Sequence, residues 1–407
     1  MDNESRFAVG IDVGTENVRA VVLRVSRNKA NGVSVIGYGK AQNGGMHKGV
    51  VSDLYGPAEA IDKMLYDVEK MSATDIDSAY VSINGSHIGS VITTGMITIE
   101  NSGNGGEITE DDIRRVEDQA ITGQVPANRN ILAILPINYT IDGQTGIRDP
   151  LGMTGTRLEI KANVVSALAP NCENLTKSMM AGKLETLRQI PTAMAAARAV
   201  LTERQMENGV AVIDFGAATT SVAVYDEGDL QFTGVVPVGS NNITNDLAIL
   251  LQITTDIAEK IKLKYVSAEF PEGDDDIMIG HGSESAIFSR NQINQVVKDR
   301  LDDIFDRMEK MLRAAGFAQK LPEGIVLVGG GAKMRGIEGF VKNKLKMATR
   351  IGIPGTDLAG VADKIETPEF ATAIGLALMM SEENLAEIEA PKKKSGGFFK
   401  GLFGKKK

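Results

Sequence analysis

Two short segments of this chain, 202 residues apart, share one pattern of strand, glycine turn and strand. Their sequences are FAVGIDVGTENVRAVVLRV (7–25) and AVIDFGAATTSVAVY (211–225). When they are aligned, Asp12 coincides with Asp214 and Gly14 with Gly216, which predicts two β-hairpins with matched acidic residues. Two matches at one offset indicate an internal duplication, and a chance likeness of two glycine turns is the alternative.

The composition of these hairpins suits the binding of phosphate groups. Glycine has no Cβ, so the backbone beside it can approach phosphate oxygens closely. Mg²⁺ on phosphates usually keeps most of its waters, and Asp12 and Asp214 could act on it through them. The motif G-x-x-x-x-G-K-[ST] is absent from the sequence, which excludes the common P-loop. The predicted phosphate-site residues are Asp12, Gly14, Thr15, Glu16 and Asn17 in the first hairpin and Asp214, Gly216, Thr219 and Thr220 in the second.

A third glycine segment, GIVLVGGG at 324–331, follows the two hairpins and is predicted to be a strand that ends in three glycines. The order of the three segments resembles that of the actin, Hsp70 and sugar-kinase superfamily. Two further stretches, GMHKGVVSD at 45–53 and GSNNITNDLAILLQITTDIAEKIKLKY at 239–265, resemble the FtsA family in particular. The resemblance covers residues 7 to about 380. It implies an α/β fold of actin-like (ribonuclease H-like) duplicated domains around a nucleotide cleft, with an α+β insertion.

The same resemblance implies ATP and Mg²⁺ as ligands and adds residues on the nucleoside side. Glu259 and Lys262 would contact the ribose and adenine, since residues three apart on a helix share a face. A solvated ion pair is the alternative for these two. The residues that would pass close to the adenosine are Gly329, Gly330, Gly331 and Met334.

Two departures from the family pattern bear on hydrolysis. FtsA-like second hairpins commonly read D-x-G-G-G-T-T-D, whereas this chain has DFGAATTS at 214–221, with two added methyl groups and one carboxylate fewer. The linking helix PTAMAAARAVL holds no carboxylate to orient an attacking water, and Gln189 is the nearest polar candidate. Because phosphoryl transfer to water depends on positioning and electrostatics, we expect nucleotide binding with slow or absent hydrolysis.

The remaining pattern predicts how the chain is divided. Thr109 to Asp112 resembles a capping box that opens an amphipathic helix among strand-like stretches, which indicates an inserted α+β unit. Helix-period spacing runs through Asn241–Lys264 and Arg290–Ala315. The predicted divisions are 1–83 with 164–205 (subdomain 1A), 84–163 (the inserted 1C), 206–239 with 321–380 (2A), 240–320 (2B), a flexible linker at 381–394 and an amphipathic helix at 395–407.

Charge and composition restrict the classes of molecule that the protein is expected to bind. The chain carries a net charge of −9, but residues 391–407 hold seven lysines and no acid, so the first 390 residues carry −16. Such an acidic body argues against nucleic acid, and its basic end points to one specific surface. One cysteine and three scattered histidines argue against a disulfide framework or a zinc site. Lacking a signal-peptide pattern and a long apolar run, the protein is expected in the cytoplasm.

The C-terminal sequence SGGFFKGLFGKKK is typical of a helix that lies in the plane of a membrane. Its large apolar residues are one, three and four positions apart and so share a helix face. A disordered basic tail is the alternative, and the four glycines make the free peptide a poor helix. Many weak tails on one filament would bind firmly through their effective concentration. The predicted membrane-contacting residues are Phe398, Phe399, Lys400, Leu402, Phe403 and Lys405.

By the resemblance, the chain would self-associate into filaments on the cytoplasmic face of an anionic membrane at the division septum. It would anchor the division tubulin FtsZ, whose C-terminal peptide would dock on 240–320, and would meet other division proteins. A pilus-assembly actin-like protein remains an alternative, although that family is not expected to end in a basic amphipathic anchor. A sugar or acetate kinase would need a second-substrate pocket with a catalytic Asp, for which 84–163 offers no compelling candidate. An Hsp70-type chaperone is disfavoured because the chain stops soon after residue 380.

Overall fold

The computed structural model describes residues 6–26, 32–99, 105–270, 277–279, 286–354 and 358–389. The helices are α1 (Tyr55–Ser72), α2 (Glu110–Ile121), α3 (Ala169–Ala181), α4 (Thr192–Val200), α5 (Glu203–Asn208), α6 (Ser240–Leu251), α7 (Thr255–Tyr265), α8 (Arg290–Ala314), α9 (Ile337–Leu345) and α10 (Ala371–Glu389). The strands are β1 (Arg6–Val13), β2 (Asn17–Val25), β3 (Val33–Gln42), β4 (Met46–His47), β5 (Val50–Val51), β6 (Ser78–Ile83), β7 (Gly89–Thr98), β8 (Gly106–Glu107), β9 (Arg129–Ile141), β10 (Gln144–Ile147), β11 (Thr154–Gly155), β12 (Arg157–Leu168), β13 (Glu185–Pro191), β14 (Val210–Phe215), β15 (Thr220–Asp226), β16 (Asp229–Val236), β17 (Ile277–Ile279), β18 (Ala286–Phe288), β19 (Ile325–Val328), β20 (Thr349–Ile351) and β21 (Ala359–Gly360).

The first large sheet has the strand order β13-β6-β1-β2-β3-β21. Strands β1, β2 and β3 are antiparallel neighbours, whereas β6 and β13 run parallel to β1. Both faces are covered, since α1 packs on one and α10 on the other, and β1 and β2 are therefore apolar almost throughout. Gly10 permits the closest approach of α10, because a Cβ there would lie 2.2 Å from the carbonyl oxygen of Ala373.

The second large sheet repeats this arrangement with the order β16-β15-β14-β19-β20. Again an antiparallel hairpin, β14–β15, is followed in the sheet by parallel strands, here β19 and β20. One face packs on α8 and α9 through residues such as Phe215 and Phe305, and the other packs toward α4. Helix α4 thus lies between the two sheets and also contacts α10. The repeated topology is what the matched hairpins predict.

The insertion forms a four-stranded antiparallel sheet, β10-β9-β12-β7, with α2 packed on it. Helix α2 begins with the expected capping box, in which Thr109 and Asp112 bond each other's backbone N–H. Strand β12 continues to Leu168, so this sheet extends five residues beyond the predicted limit at 163. The insertion also touches the second half of the molecule, since the Ser90 hydroxyl bonds Thr233 and the Asn163 amide donates to the carbonyl of Leu230.

Two sequence predictions about the C-terminal third need correction. Only the first part of 321–380 belongs to the second sheet, where β19 and β20 pair. The rest does not, because β21 pairs with β3 and α10 covers the first sheet. The predicted flexible linker is wrong for 381–389, which continue α10 as helix. Ion pairs of Glu382 with Arg198 and of Glu383 with Arg188 bind this end of the helix to the body, which local composition does not reveal.

None of the helices in the described part of the chain has the length and hydrophobicity of a membrane-spanning segment. The rest of the predicted linker, 390–394, and the predicted membrane helix, 395–407, lie outside the described residues. The membrane contacts proposed for Phe398, Phe399, Lys400, Leu402, Phe403 and Lys405 are therefore neither supported nor opposed by the fold.

Candidate functional site

The two duplicated hairpins bring Asp12 and Asp214 together in the interior between the two sheets. Only 8% of Asp12 and 9% of Asp214 is exposed. Burial, and next the nearby charge of Asp12, raise the pKa of Asp214 to about 7. Burying two carboxylates that repel each other costs free energy unless a cation lies between them. The arrangement therefore favours a cation between the hairpins.

Asp12 is held by two groups from its own sheet. The hydroxyl of Ser82, at the end of the parallel strand β6, donates to its Oδ1 at 2.9 Å. Arg19 lies directly opposite Asp12 in the β1–β2 pair and places Nη1 3.7 Å from Oδ2. Burial raises the pKa of Asp12, and the charge of Arg19 and the hydrogen bond of Ser82 oppose that rise.

Asp214 has a different environment, with hydroxyls where Asp12 has a cation. Its opposite residue in the β14–β15 pair is Ser221, and its side chain is hydrogen-bonded to Thr192 at the start of α4. Gly329 comes so close that a Cβ there would lie 2.3 Å from Oδ1 of Asp214. Gly329 also has a φ of 85°, so the position favours glycine on both counts.

The glycines of both turns leave space for a phosphate group, but their N–H groups are not free to donate to it. The N–H of Gly14 donates to the carbonyl of Asn17 at 3.1 Å, and that of Gly216 donates to the carbonyl of Thr219 at 3.0 Å. Each bond closes its own turn, so residues between these pairs form the tips of the hairpins. Thr15 lies at the first tip and is partly exposed.

Several predicted phosphate-site side chains bond across the cleft instead of facing it freely. The Glu16 carboxylate accepts from Nδ2 of Asn241, at the start of α6, at 2.5 Å. The hydroxyl of Thr219 accepts from Nδ2 of Asn84 at 3.0 Å. Thr220 departs from expectation, because it is fully buried and donates to the carbonyl of Val238, toward the protein interior.

On the nucleoside side, Glu259 and Lys262 do share one face of α7, as their spacing predicts. They form an ion pair at 2.7 Å, and Lys262 is largely buried. Lys262 also donates to Oγ1 of Thr244 at 2.9 Å and to the carbonyl of Ser240 at 3.3 Å. The solvated pair that was the alternative does not describe Lys262, whose ammonium is held between α6 and α7.

The third glycine segment forms a tight turn, Gly330–Lys333, directly after β19. Gly331 lies against the ring of Phe215, whereas a Cβ on Gly330 would meet nothing within 4 Å. Met334 follows the turn and is partly buried. The segment thus lies beside Asp214, and its contact with the adenosine stays a prediction.

A charged cluster beside the site was not expected from the sequence. The row of cross-strand neighbours Asp12, Arg19 and Lys40 runs over β1, β2 and β3. Glu369 joins this row to the third glycine turn, with Arg19 at 3.0 Å, Lys40 at 3.4 Å and Lys333 at 3.2 Å. These cations overcome the effect of burial and lower the pKa of Glu369 to about 2. Counting residues across the first hairpin could have identified Arg19, but no local signal indicates Glu369.

Gln189, the candidate for orienting water, is directed elsewhere. Its amide donates to the carbonyl of Cys172 and to Oγ1 of Thr176, both at 2.8 Å, so it is held against α3. Thr192, the first residue of α4, is the linking-helix residue that contacts Asp214. A sequence pattern of carboxylates and amides does not indicate this hydroxyl.

The residues present fit a magnesium–nucleotide complex better than a bare metal ion. Within the described ranges, no cluster of three or more His, Cys, Asp or Glu could hold a metal by protein ligands alone. When both carboxylates are ionised, the one guanidinium near them, which Arg19 also shares with Glu369, leaves negative charge in the interior without a partner. Mg²⁺ that keeps its waters and is shared with phosphates would meet that charge through Asp12 and Asp214.

Similarity to solved structures gives the fold class of the protein. The chain is similar to a chain of the PilM–PilN type IV pilus biogenesis complex, with a TM-score of 0.66 at 16% identity over 92% of this chain and 98% of that one. It is also similar to MreB5 of Spiroplasma citri bound to ADP, with a TM-score of 0.55 at 15% identity over 95% and 99%. The protein therefore has the actin-like ATPase fold, and the predicted fold class is confirmed.

Sequence similarity then gives the family. The family model for the cell division protein FtsA matches residues 211–375, and that for the SHS2 domain inserted in FtsA matches 85–166. FtsA of Pseudomonas aeruginosa is 34% identical over 92% of this chain and 89% of its own length. FtsA of Neisseria meningitidis is 32% identical over 98% and 96%. The chain belongs to the FtsA family of cell division proteins, as its sequence resemblance predicts, and not to the pilus-assembly proteins whose fold it shares.

Proposed function

We propose that this cell-division protein binds ATP with Mg²⁺ between the two hairpins. The observation that carries the proposal is the buried, electrostatically interacting pair Asp12 and Asp214 at matched positions of a duplicated fold. The structural relative MreB5 has been solved bound to ADP and to AMPPNP, which supports a nucleotide in the corresponding cleft.

Bound Mg²⁺ would neutralise phosphate charge, and its water shell would be held by the protein. Asp12 and Asp214 accept hydrogen bonds from those waters. The tips of the two hairpins, including Thr15, lie toward the phosphates, and the turn from Gly329 to Gly331 lies toward the adenosine. Glu259 and Lys262 shape the nucleoside side through their mutual ion pair. The Glu16 carboxylate does not bind phosphate directly, because carboxylate and phosphate oxygens are both negatively charged and only accept hydrogen bonds. It instead accepts a hydrogen bond from Asn241.

Hydrolysis is proposed to be slow or absent. The second hairpin carries Ala217, Ala218 and Ser221 where FtsA-like hairpins commonly have two glycines and an acid. Gln189 is bonded to α3, so it is not free to orient a water. Steady-state phosphate release with saturating Mg·ATP is the measurement, and turnover well above a few per minute would contradict this part of the proposal.

Polymerisation on the membrane and recruitment of FtsZ complete the proposed function. Family membership supports a position in the division ring. The basic C-terminal segment supplies the proposed anchor, and filaments would raise its effective concentration at an anionic surface. The 240–320 region exposes large apolar side chains on α6 and α7, among them Ile249 at 77% and Leu263 at 76%. These side chains suit contact with an FtsZ C-terminal peptide.

Electron microscopy of the full chain on anionic lipid monolayers tests the proposal as a whole. We expect filaments with Mg·ATP for the wild type and none for Asp12→Asn combined with Asp214→Asn, whose nucleotide affinity should fall at least tenfold. Wild-type affinity in that double variant, measured by calorimetry, would contradict the assignment of the cleft. Filaments that form only in bulk and never on lipid would contradict the membrane role while leaving the nucleotide site intact.

A further inference from the structure

Two hydroxyls are buried beside the carboxylate of Asp214. Thr192 is the first residue of α4, and Ser221 lies on β15, directly opposite Asp214. Their oxygens are 2.8 Å apart, and only 4% of Thr192 and 2% of Ser221 is exposed. Thr192 is in turn hydrogen-bonded to Asp214. The three side chains thus form one short chain of hydrogen bonds that ends on the carboxylate.

The direction of these bonds follows from how many hydrogens each group has. With Mg²⁺ bound, Asp214 is ionised and only accepts, and a threonine hydroxyl has a single hydrogen to donate. Thr192 therefore donates to Asp214, so its bond with Ser221 must be one that it accepts. In the order Ser221 to Thr192 to Asp214, both buried hydroxyls and the carboxylate each have a partner.

In the first hairpin, the buried carboxylate of Asp12 is held by different groups. Asp12 receives a hydroxyl hydrogen bond from Ser82 and also has the charge of Arg19 opposite it. Asp214 has no cation at the equivalent place, where Ser221 stands. For Asp214 the corresponding hydrogen bond comes from the hydroxyl of Thr192, on the helix between the two sheets.

We propose that Thr192, held by Ser221, is a positioning residue that orients Asp214 toward the Mg²⁺ of the bound nucleotide. This inference rests on the proposed nucleotide site and adds to it a determinant of metal affinity. Thr192 acts through Asp214 and does not itself contact the nucleotide. Its loss should thus raise the Mg²⁺ concentration that the complex needs, while binding of nucleotide without metal stays the same.

The experiment compares nucleotide binding by the full chain at a series of Mg²⁺ concentrations and in EDTA, using calorimetry with ADP. Thr192→Val keeps the shape of the side chain but removes the hydroxyl, and Thr192→Ser keeps the hydroxyl. We expect Thr192→Val to raise the half-saturating Mg²⁺ concentration about tenfold, and Thr192→Ser to restore it to within twofold of wild type. Adding Thr192→Val to Asp214→Asn should have no further effect, since the hydroxyl acts through that carboxylate.

Thr233→Val is the matched control, because this buried threonine also loses a hydroxyl bond, to the carbonyl of Val222, away from the cleft. Its Mg²⁺ requirement should equal that of the wild type. An unchanged requirement in Thr192→Val, or equal losses of affinity with and without Mg²⁺, would overturn the inference. If Thr192→Val does not fold, Ser221→Ala decides: a raised Mg²⁺ requirement supports the inference and a wild-type value overturns it. A wild type that binds no ADP at any Mg²⁺ concentration would instead overturn the nucleotide site itself.

Discussion

Asp12 and Asp214 occupy the same register position in two hairpins, each directly opposite the residue seven places later in the chain. For Asp12 that residue is Arg19, a cation, and for Asp214 it is Ser221, which carries no charge. The duplication therefore preserves the backbone and the carboxylate but not the electrostatic environment. Burial, together with the charge of Asp12, raises the pKa of Asp214 to about 7 for this reason, whereas Asp12 keeps a compensating guanidinium.

The raised pKa of Asp214 predicts a loss of stability with rising pH in the absence of nucleotide and metal. Unfolded, this carboxyl titrates near its ordinary value of 3.8; folded, its pKa is about 7. The folded state thus holds the extra proton between these values, so its contribution to the free energy of unfolding falls from about pH 4 to pH 7 and is then constant. Thermal denaturation in EDTA should show a smaller fall for Asp214→Asn than for the wild type.

The matched control for that experiment is Asp62→Asn, which changes an exposed carboxylate on α1. Its pH dependence should follow the wild type. If Asp214→Asn and the wild type have parallel profiles from pH 4 to 7, Asp214 does not titrate as its burial requires. Asp12, whose pKa is also raised, accounts for a slope that remains in the variant.

Glu369 predicts a second effect on stability, of opposite pH behaviour. Arg19, Lys40 and Lys333 lower the pKa of Glu369 to about 2, so its contribution is complete at neutral pH and is lost only as pH falls through about 4 to 2. Glu369→Gln leaves the buried Arg19 facing a neutral partner and should lower the free energy of unfolding at pH 7 by about 1–3 kcal/mol. Urea denaturation measures this change.

Glu382→Gln provides the comparison for Glu369→Gln, because Glu382 pairs with Arg198 where both side chains are about one-third exposed. Such a pair is worth at most about 1 kcal/mol, and its loss should have a correspondingly small effect. Equal changes in the free energy of unfolding would show that the cluster around Glu369 stabilises the fold no more than an exposed ion pair does.

The sequence reveals local features of this molecule better than its distant contacts. Hairpins β1–β2 and β14–β15 follow from β-branched runs around a glycine, and the capping box of α2 from four adjacent residues. The stretch Asn241–Lys264 has helical spacing throughout, yet the chain breaks at Gln252, which has a φ of 54°, because α7 folds back on α6. Only tertiary packing dictates that break.

The candidate site shows the same division. The sequence alone predicts Asp12, Asp214 and Gly329, because each belongs to a glycine turn that a few adjacent residues define. Glu369 is 350 residues from Arg19 and Thr192 is 29 residues from Ser221, so neither pair has a period or motif that links its members. Contacts of this kind depend on how α4 and the 3₁₀ turn at Pro368–Phe370 pack between the sheets, which no single segment encodes.

Gly329 and Gly330 form a pair of neighbouring glycines with opposite tolerance. At Gly329, alanine would combine a φ of 85° with a Cβ 2.3 Å from Oδ1 of Asp214 and 2.7 Å from the carbonyl oxygen of Phe215. We expect Gly329→Ala to cost about 1–3 kcal/mol of stability and to displace the carboxylate. Gly330→Ala should leave the denaturation midpoint unchanged, since a Cβ there meets nothing within 4 Å. A wild-type midpoint for Gly329→Ala would show that this turn is not constrained as described.

Ile249 and Leu263 allow a test of the proposed FtsZ surface. Each is more than three-quarters exposed, so replacing it with Asp should not disturb the core. If the FtsZ peptide covers these side chains, Ile249→Asp and Leu263→Asp should each weaken its binding at least tenfold, a loss of about 1.4 kcal/mol. Fluorescence anisotropy with a labelled C-terminal FtsZ peptide measures this. Tyr66→Asp, at a 70% exposed position on α1, is the control that should bind normally; peptide affinity that survives both substitutions would exclude this surface.

In the proposed membrane anchor, the free energy gained by burying apolar side chains and attracting lysines nearly equals the free energy lost by ordering the tail. Four large apolar side chains are worth roughly 6–12 kcal/mol if fully buried, less at an interface, and each lysine near an anionic leaflet adds about 1 kcal/mol. Ordering about ten residues costs on the order of 10 kcal/mol, so a single tail binds weakly and depends on every apolar contact. Phe399→Glu combined with Phe403→Glu should therefore abolish sedimentation with anionic liposomes and leave nucleotide affinity unchanged. Ser395→Glu with Gly396→Glu changes the charge equally but keeps all four apolar side chains, and it should still sediment at low salt. Sedimentation of the phenylalanine variant at the wild-type level would mean that the lysines alone hold the protein, as they would in a disordered basic tail.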